Sequence, residues 1–529
     1  MKAKFQIYKN YFVNLIFPAL IFGSITGILT SVIVTLFKLC AKYVISFSQT
    51  MLNALKERVY LIPIALIIVF GLSVLIDLIL KKEPNLRGGG IPTSISALRG
   101  ITVLNWFKAL LGGFFLPLIS FAFGVPLGTE GPSVLIGTAT GMGSVRVLAS
   151  KHRAWNKYAM TGGASAGFSV ATGSPIAGIM FAIEEVHGRI SPMIIMVATI
   201  SVAFSRLTSE LLNKISFLNV DIQLFPKLTS IQPLRMINVW IPIVVAIVIG
   251  LLAVVFLYYY RVVYTFFNKA LIKVPSYVRI FIVFALSIIA GVISFNYVST
   301  GHHLIEEILT NSTITIGALL LILLVRSTLT LSANTNSING GMFIPIMALG
   351  AVASSTIAKI MISLGVSESY YTLIVVIGIT ACISSMMKTP LAAIVFAIEA
   401  LACDDNILFV IITSIIAYMI TEIFRAKSIN DTIIERRSEE IYGERAPELV
   451  EITVTIKENS FAIGKQIRDI FWPRGLKVLS VHREQDQNEI DKYAESTLNK
   501  GDILQVRYST TDKEATQEEL YAIVGNQDK

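Results

Sequence analysis

Glu130 stands in Gly128-Thr129-Glu130-Gly131-Pro132, and the nearest charges along the chain are Lys108 before it and Arg146 after it. The stretch between them is apolar and small, the composition of a membrane interior rather than of a water-facing loop. A carboxylate in hydrocarbon is costly unless it is protonated, paired or hydrogen-bonded. Glycines flank this one and a proline follows, the signature of a helix start. The first N–H groups of a helix have no intrahelical partner and point outward, which makes them a ready anion site. One short motif therefore joins an anion-binding backbone to a titratable acid, and that pairing points to anion transport coupled to protons.

Two further segments have the same character: Gly88-Gly89-Gly90-Ile91-Pro92 and Gly340-Gly341-Met342-Phe343-Ile344-Pro345. A dehydrated anion must recover several kcal/mol of lost hydration. One helix N-terminus supplies about 0.3–1 kcal/mol, rising to about 2 when partly buried. One terminus is too little, but several converging starts with direct N–H bonds make a plausible site, and glycine lets the backbone approach the ion. N–H donors in place of Lys or Arg keep binding weak enough for release. Taken alone, any one turn reads better as a close-packing device, and three together, on a repeat and around an intramembrane Glu, read as a site. Gly88–Gly90 is not a phosphate loop, because no Gly-Lys-Ser/Thr follows.

The elements that must position these turns are membrane helices. The 529 residues are 54% hydrophobic and 15% charged, against about 25% charged in a soluble protein, and mean hydropathy is +0.69. Uncharged apolar tracts include 11–37, 61–76, 109–129, 158–183, 190–205, 237–260, 281–305 and 406–420. Others, such as 133–145 and 341–358, are expected to be too short or too Gly-rich to cross simply, as in half-helices that meet at a buried ion site. The net charge of +9 is read as cytoplasmic Lys and Arg, and Lys2, Lys4 and Lys9 place the N-terminus on that side. No basic stripe interleaved with aromatics speaks for nucleic acid. No nucleophile–base set or hydrolysis motif speaks for an enzyme. Cys40, Cys382 and Cys403 have neither ligand nor disulfide spacing.

The membrane part repeats itself. Pro175-Ile-Ala-Gly-Ile-Met-Phe-Ala-Ile-Glu184 matches Pro390-Leu-Ala-Ala-Ile-Val-Phe-Ala-Ile-Glu399, 215 residues on, and the proline turns at Pro132 and Pro345 correspond 213 residues apart. The repeats run from about 10 to 215 and from about 235 to 424. If they are inverted, the 128–134 and 340–346 turns face each other at the repeat interface; the sequence alone leaves inverted and parallel arrangements open. Charges become frequent near residue 425, and 445–529 reads as a small α+β unit. Val450, Ile452, Val454 and Ile456 alternate as in a strand, Leu476–Val481 and Ile503–Tyr508 read as strands, and Glu514–Val524 as a helix. Ser460–Phe471 has helical spacing.

In order along the chain, Gly-Gly-Gly-Ile-Pro (88–92), Gly-Thr-Glu-Gly-Pro (128–132), Gly-Ile-Met-Phe-Ala-Ile-Glu-Glu (178–185) and Gly-Met-Phe-Ile-Pro (341–345) resemble the signature motifs of the CLC chloride channel/transporter family. The resemblance covers roughly residues 10–440, giving a transport domain of about 1–440. It implies an all-α polytopic fold of two inverted repeats with broken helices, a homodimer with one anion pathway per subunit, and chloride as substrate. By the same resemblance Glu130 is the external gating acid, Glu185 the internal proton-transfer acid that exchangers carry, and Glu184 its acidic neighbour. Gly131, Met342 and Phe343 are the backbone N–H donors. Gly89 stands where the family has a central serine, and Asn430 where it has a pathway tyrosine, so the central site lacks two hydroxyls. Thr129 replaces a common arginine, and Pro132 argues against the fluoride-exporting branch.

The 445–529 unit does not resemble the paired CBS domains of many relatives. It looks like the C-terminal regulatory domain of TrkA-type potassium-uptake subunits, carried by Val450–Ile456, Ile463-Gly464-Lys465, Gly475–Arg483 and Gly501-Asp502-Ile503-Leu504. That resemblance implies dimerisation and cyclic di-AMP as a candidate ligand, with Arg468, His482 and Arg483 as candidate phosphate contacts against a plain solvated basic surface. His302, His303, Glu306 and Glu307 have helical spacing compatible with a metal pair, but a polar loop near the pathway is the preferred reading, and no metal is expected. The expected function is a proton-coupled chloride antiporter in a bacterial plasma membrane with both termini cytoplasmic. The alternative is a passive CLC channel or weakly coupled transporter. A ligand-sensing scaffold with a vestigial membrane part is disfavoured by the intact turns and both glutamates.

Overall fold

The computed structural model describes residues 15–149, 152–215, 224–225, 231–311, 313–442, 448–458, 460–483, 496–510 and 513–527. Lys2, Lys4 and Lys9, on which the expected N-terminal orientation rests, lie outside the described residues. The chain is a multi-pass, all-α membrane protein with a small C-terminal β-sheet unit. Among the described residues nine helices are long and apolar enough to cross a membrane. Phe343–Ser363 is one of them. This corrects the expectation for 341–358: the helix runs on through Ile357-Ala358-Lys359-Ile360-Met361, and a single lysine near its end does not stop it. Gly90–Leu98, Pro175–Phe181 and Pro390–Ala400 remain short.

Pro175–Phe181 and Pro390–Ala400 reveal the direction of the repeat. Each begins with proline, whose missing N–H removes one orphan donor at the helix start. The next N–H groups are capped by the other repeat. Glu184 accepts from Leu391 N–H at 3.1 Å and Ala392 N–H at 2.8 Å. Glu399, its counterpart, accepts from Ile176 and Ala177 N–H, both at 2.9 Å. The acid at the far end of each segment reaches the start of the other, so the two lie antiparallel, as inverted repeats require.

Close helix packing comes from small residues, as expected where lipid gives no hydrophobic drive to helix association. Glu130–Leu148 lies against Asn156–Thr172, and a Cβ on Gly137 would sit 2.0 Å from the Gly163 carbonyl oxygen. The same probe on Gly163 meets the Gly137 oxygen at 2.0 Å. These backbones touch, and no side chain fits between them.

In the C-terminal unit, β1 (Glu448–Thr455), β2 (Lys477–His482) and β3 (Ile503–Thr510) form an antiparallel sheet in the order β1-β3-β2. Alternate residues Val454, Leu504 and Val506 pack under the helix Lys513–Val524 through Leu520 and Val524. Ser460–Phe471 is not the helix its spacing suggested; only the short 3₁₀ turn Ile467–Asp469 forms there. Gly464 takes φ +76°, and tertiary partners replace the i−4 carbonyls: Ala462 N–H donates to Ile523, Gly464 N–H to Leu498 and Ile467 N–H to Ser496.

Gly137→Ala is expected to destabilise the folded protein by about 1–3 kcal/mol through overpacking. Gly71→Ala, where nothing lies within 4 Å of the added carbon, is expected to be neutral. Thermal unfolding in detergent checks both, and equal melting temperatures would contradict the packing argument.

Candidate functional site

The three glycine starts meet. Gly128 and Gly341 exchange both backbone hydrogen bonds, N–H to oxygen, each 2.7 Å long. A Cβ on Gly131 would lie 2.6 Å from Gly341 Cα, on Gly90 1.9 Å from the Gly131 oxygen, and on Gly89 2.9 Å from the Gly340 oxygen. Only hydrogen fits at these contacts. The helices Gly90–Leu98, Glu130–Leu148 and Phe343–Ser363 therefore open within one small region. None of the three has a side-chain hydrogen bond from its N-cap residue, so no N-cap side chain occupies their first N–H groups. Met342 is the residue before the third helix and Phe343 its first, and both are buried.

Glu130 lies in this convergence with no exposed surface. Thr129 hydroxyl donates to its Oε1 at 2.9 Å. Oε2 has no close hydrogen-bond partner and lies 2.6 Å from where a Gly128 Cβ would be. The backbone N–H groups of Glu130 and Ile344 act on the carboxylate from the helix starts, and Lys38 acts on it electrostatically. The carboxylate thus stands among the donors that would hold an anion.

Glu185 is 6% exposed, in the π-helical turn Ala182–His187 that continues Pro175–Phe181. Asn430 Nδ2 donates to its Oε1 at 2.5 Å. Asn430, expected at the anion site, directs this amide hydrogen bond to Glu185. The helix Ile429–Tyr442, which carries Asn430 near its start, begins beside the Glu185 turn. Arg99 fixes the turn from the other side. Its Nη2 donates to the Glu185 carbonyl at 2.8 Å, its Nε to the Val186 carbonyl at 3.0 Å, and its Nη1 pairs with Asp431 at 2.9 Å. Ser428 hydroxyl also donates to Asp431 at 2.9 Å.

Sequence reasoning missed Arg437. It lies two turns after Asn430 on one helix, so the two share a face. Arg437 is buried and its Nη1 donates to Thr93 Oγ1 at 2.5 Å. A Cβ on Gly88 would lie 2.5 Å from its Nη2. A guanidinium therefore lies against the first glycine turn, beside Gly89, where a hydroxyl was expected to be lacking. Aromatic rings join the two ends of the site. Phe181 stacks on Phe168 at 4.8 Å, Phe168 meets Phe343 edge-on at 5.1 Å, and Phe343 meets Phe396 at 5.2 Å.

The candidate regulatory residues have separate partners. Arg468 Nε donates to Gln466 at 2.9 Å, His482 bonds Ser480 at 3.0 Å, and Arg483 makes a bidentate pair with Asp502, both contacts 2.8 Å. Among the described residues no group of three or more His, Cys, Asp or Glu is placed to hold a metal.

The C-terminal unit is seated on the membrane part. Tyr158 hydroxyl donates to the Asp469 carbonyl at 2.7 Å and accepts from Phe471 N–H at 3.1 Å. The Phe471 ring stacks on His187 at 4.7 Å, and the Arg189 guanidinium lies 5.0 Å over it. Phe461 packs on Trp155 and Tyr158 at 5.5 and 5.7 Å. Lys157 pairs with Glu519 at 2.9 Å, and Arg153 with Glu518. Exposed ion pairs contribute about 0–1 kcal/mol, so the aromatic contacts are the anchor. They reach His187, two residues after Glu185.

A sequence model of the family described as "Voltage gated chloride channel" matches residues 72–422. Among curated relatives, "H(+)/Cl(-) exchange transporter ClcA" of two Vibrio vulnificus strains is 24% identical over 433 residues, covering 79% of this chain and 89% of the relative. A slow cyanobacterial Cl⁻/H⁺ antiporter superposes with a TM-score of 0.68 at 20% identity, over 80% of this chain and 98% of that one. A eukaryotic CLC transporter gives 0.64 at 15% identity, over 79% and 74%. A CLC-type fluoride/proton antiporter gives 0.63 at 19%, over 77% and 96%. At these identities the structures establish a common fold.

Phe471→Ala is expected to loosen both partners of the docked surface. Amide hydrogen exchange in 461–473 and in 182–189 should rise at least several-fold, since opening free energy sets the exchange rate. Unchanged exchange at 182–189 would contradict the coupling.

Proposed function

The chain belongs to the voltage gated chloride channel family, and on that premise we propose that it is a proton-coupled chloride antiporter of a bacterial cell membrane. Family membership carries ion transport rather than enzymatic turnover. The observation that carries exchange is the Glu130 carboxylate buried among the uncapped starts of three helices. Ionised, it competes with chloride for the same N–H groups. Protonated, it loses the charge that holds it there, so proton uptake and anion entry become one event. In this reading Glu130 is the gate on the external side, and Gly89, Gly131, Met342 and Phe343 belong to the anion-binding turns. Glu185 passes protons at the cytoplasmic end, and its hydrogen bond from Asn430 fixes the carboxyl for that task. Arg437 beside Gly88 offers positive potential where the hydroxyl at position 89 is missing.

A second reading, a passive channel or weakly coupled transporter, is favoured by Gly89 and by the commitment of Asn430 to Glu185. Both changes leave the central anion with fewer direct donors. The subunits pair as a homodimer in either reading, with chloride, protons and membrane lipid as partners and both termini cytoplasmic.

The domain reading is a transport unit of 1–440 and a TrkA-C-like regulatory unit of 445–529. Cyclic di-AMP, bound between protomers near Arg468, His482 and Arg483, is the candidate regulator. Calorimetric titration of the full-length protein with cyclic di-AMP should give saturable heat, and heat of dilution alone would reject that ligand. For transport, Glu130→Gln in proteoliposomes is expected to cut proton flux at least about 100-fold, the scale of a lost acid–base group, while chloride flux persists. Proton movement retained in that variant would sink the gate assignment.

A further inference from the structure

Glu130 has no exposed surface in this structure, so in this conformation a proton reaches it by way of a neighbouring group. Two basic side chains act on Glu130 or lie beside it. Lys38 acts on it electrostatically while its ammonium donates to the Val170 carbonyl at 3.0 Å. His302 Nε2 lies 3.8 Å from Glu130 Oε1, and the imidazole side chain is 31% exposed where the carboxylate is fully buried. Among the described residues these are the cationic or titratable groups that act on Glu130, and Lys38 also acts on His302. Both side chains are partly exposed, and His302 alone of the two carries, as a neutral ring, one donor and one acceptor nitrogen.

The position of this ring is fixed by the chain around it. His302 opens the helix His302–Asn311 directly after Gly301, which takes φ +108°. A Cβ on Gly301 would lie 2.8 Å from Arg326 Nη2 and 2.9 Å from Ala348 Cβ, so glycine is required there. Arg326 is itself buried. Its guanidinium donates to the carbonyls of Asn296, Val298 and Ser299 at 3.1, 2.6 and 2.9 Å. Ser299 N–H is tied to the Gly124 carbonyl at 2.8 Å, just before the Gly128 turn. The loop that delivers His302 is thus held to the same framework that delivers Glu130.

We propose that His302 is the proton relay between the water on the Glu130 side and the Glu130 carboxylate. One ring nitrogen takes a proton from water as the other releases its proton to Glu130, and exchange with water restores the starting tautomer. The release of a proton from Glu130 to that side runs the same steps backwards. A separation of 3.8 Å exceeds a hydrogen bond, and a small side-chain shift or one bridging water closes it. The aspect that faces the gate is that of His302, while His303 turns its ring towards Phe295 at 6.3 Å. This assignment rests on Glu130 as the proton-carrying gate.

The test uses proteoliposomes of the full-length protein with wild type, His302→Gln, His302→Glu, Glu130→Gln and the Glu130→Gln/His302→Gln double variant. Chloride and proton fluxes are recorded across external pH. His302→Gln is expected to slow coupled flux about tenfold or more, most strongly at alkaline external pH, where protons are scarce. The titratable His302→Glu should recover part of that flux. In the Glu130→Gln background, His302→Gln should leave passive chloride flux unchanged. An equal loss of chloride flux in that background would overturn the relay, making His302 part of the anion route. Wild-type coupled flux in His302→Gln at every pH would overturn it as well. Proton movement surviving in Glu130→Gln alone would instead overturn the gate on which the proposal stands.

Discussion

The reciprocal pair of hydrogen bonds between Gly128 and Gly341 is the contact on which the rest of the site depends. It brings two backbones together with no side chain between them and sets two helix starts face to face. Gly90 then packs on Gly131, and Gly89 on Gly340, through contacts that exclude a Cβ. Three sets of uncapped N–H groups are concentrated in one place inside an apolar body. Each is individually weak, about 0.3–1 kcal/mol for a helix terminus, and their convergence adds them in one place. The same crowding explains why a carboxylate is tolerated at position 130: the donors that would otherwise lack a partner surround it.

The two acids are connected through solid structure. The helix Ile429–Tyr442 carries Asn430 on Glu185 and Arg437 against the first glycine turn, two helical turns apart. A stacked series of phenylalanines runs from Phe181, on the Glu185 segment, through Phe168 to Phe343 at the third helix start. The C-terminal unit adds a third party by placing Phe471 on His187. A displacement of that unit would be felt at the turn holding Glu185.

The features legible in the sequence are those that backbone chemistry writes locally. Glycine runs before proline announced all three helix starts, because a close backbone approach admits no other residue and proline suits a first turn. The match of Pro175–Glu184 to Pro390–Glu399 announced the repeat, and the capping glutamates at its ends show why both copies retain an acid. Strand β1 was legible by alternation, and Leu476–Val481 and Ile503–Tyr508 also read as strands, close to β2 and β3. What the sequence hid is tertiary. Asn430 meets a partner 245 residues away, and nothing local distinguishes donation to an acid from donation to an anion. Arg99, Arg437, Lys38 and His302 acquire their roles only once helices distant in sequence are packed together. Ser460–Phe471 had helical spacing but found backbone partners in other segments, and the continuation of Phe343–Ser363 past Lys359 depended on the tolerance of a helix end for one charge.

The central claim is that one buried carboxylate links chloride movement to proton movement. The most direct measurement is external pH recorded as a chloride gradient is imposed across proteoliposomes of the wild-type protein, with no initial pH difference. The account predicts proton movement opposite to chloride, continuing uphill until a pH gradient has formed. Chloride flux that dissipates its gradient with no uphill proton movement would contradict it and leave a passive pathway.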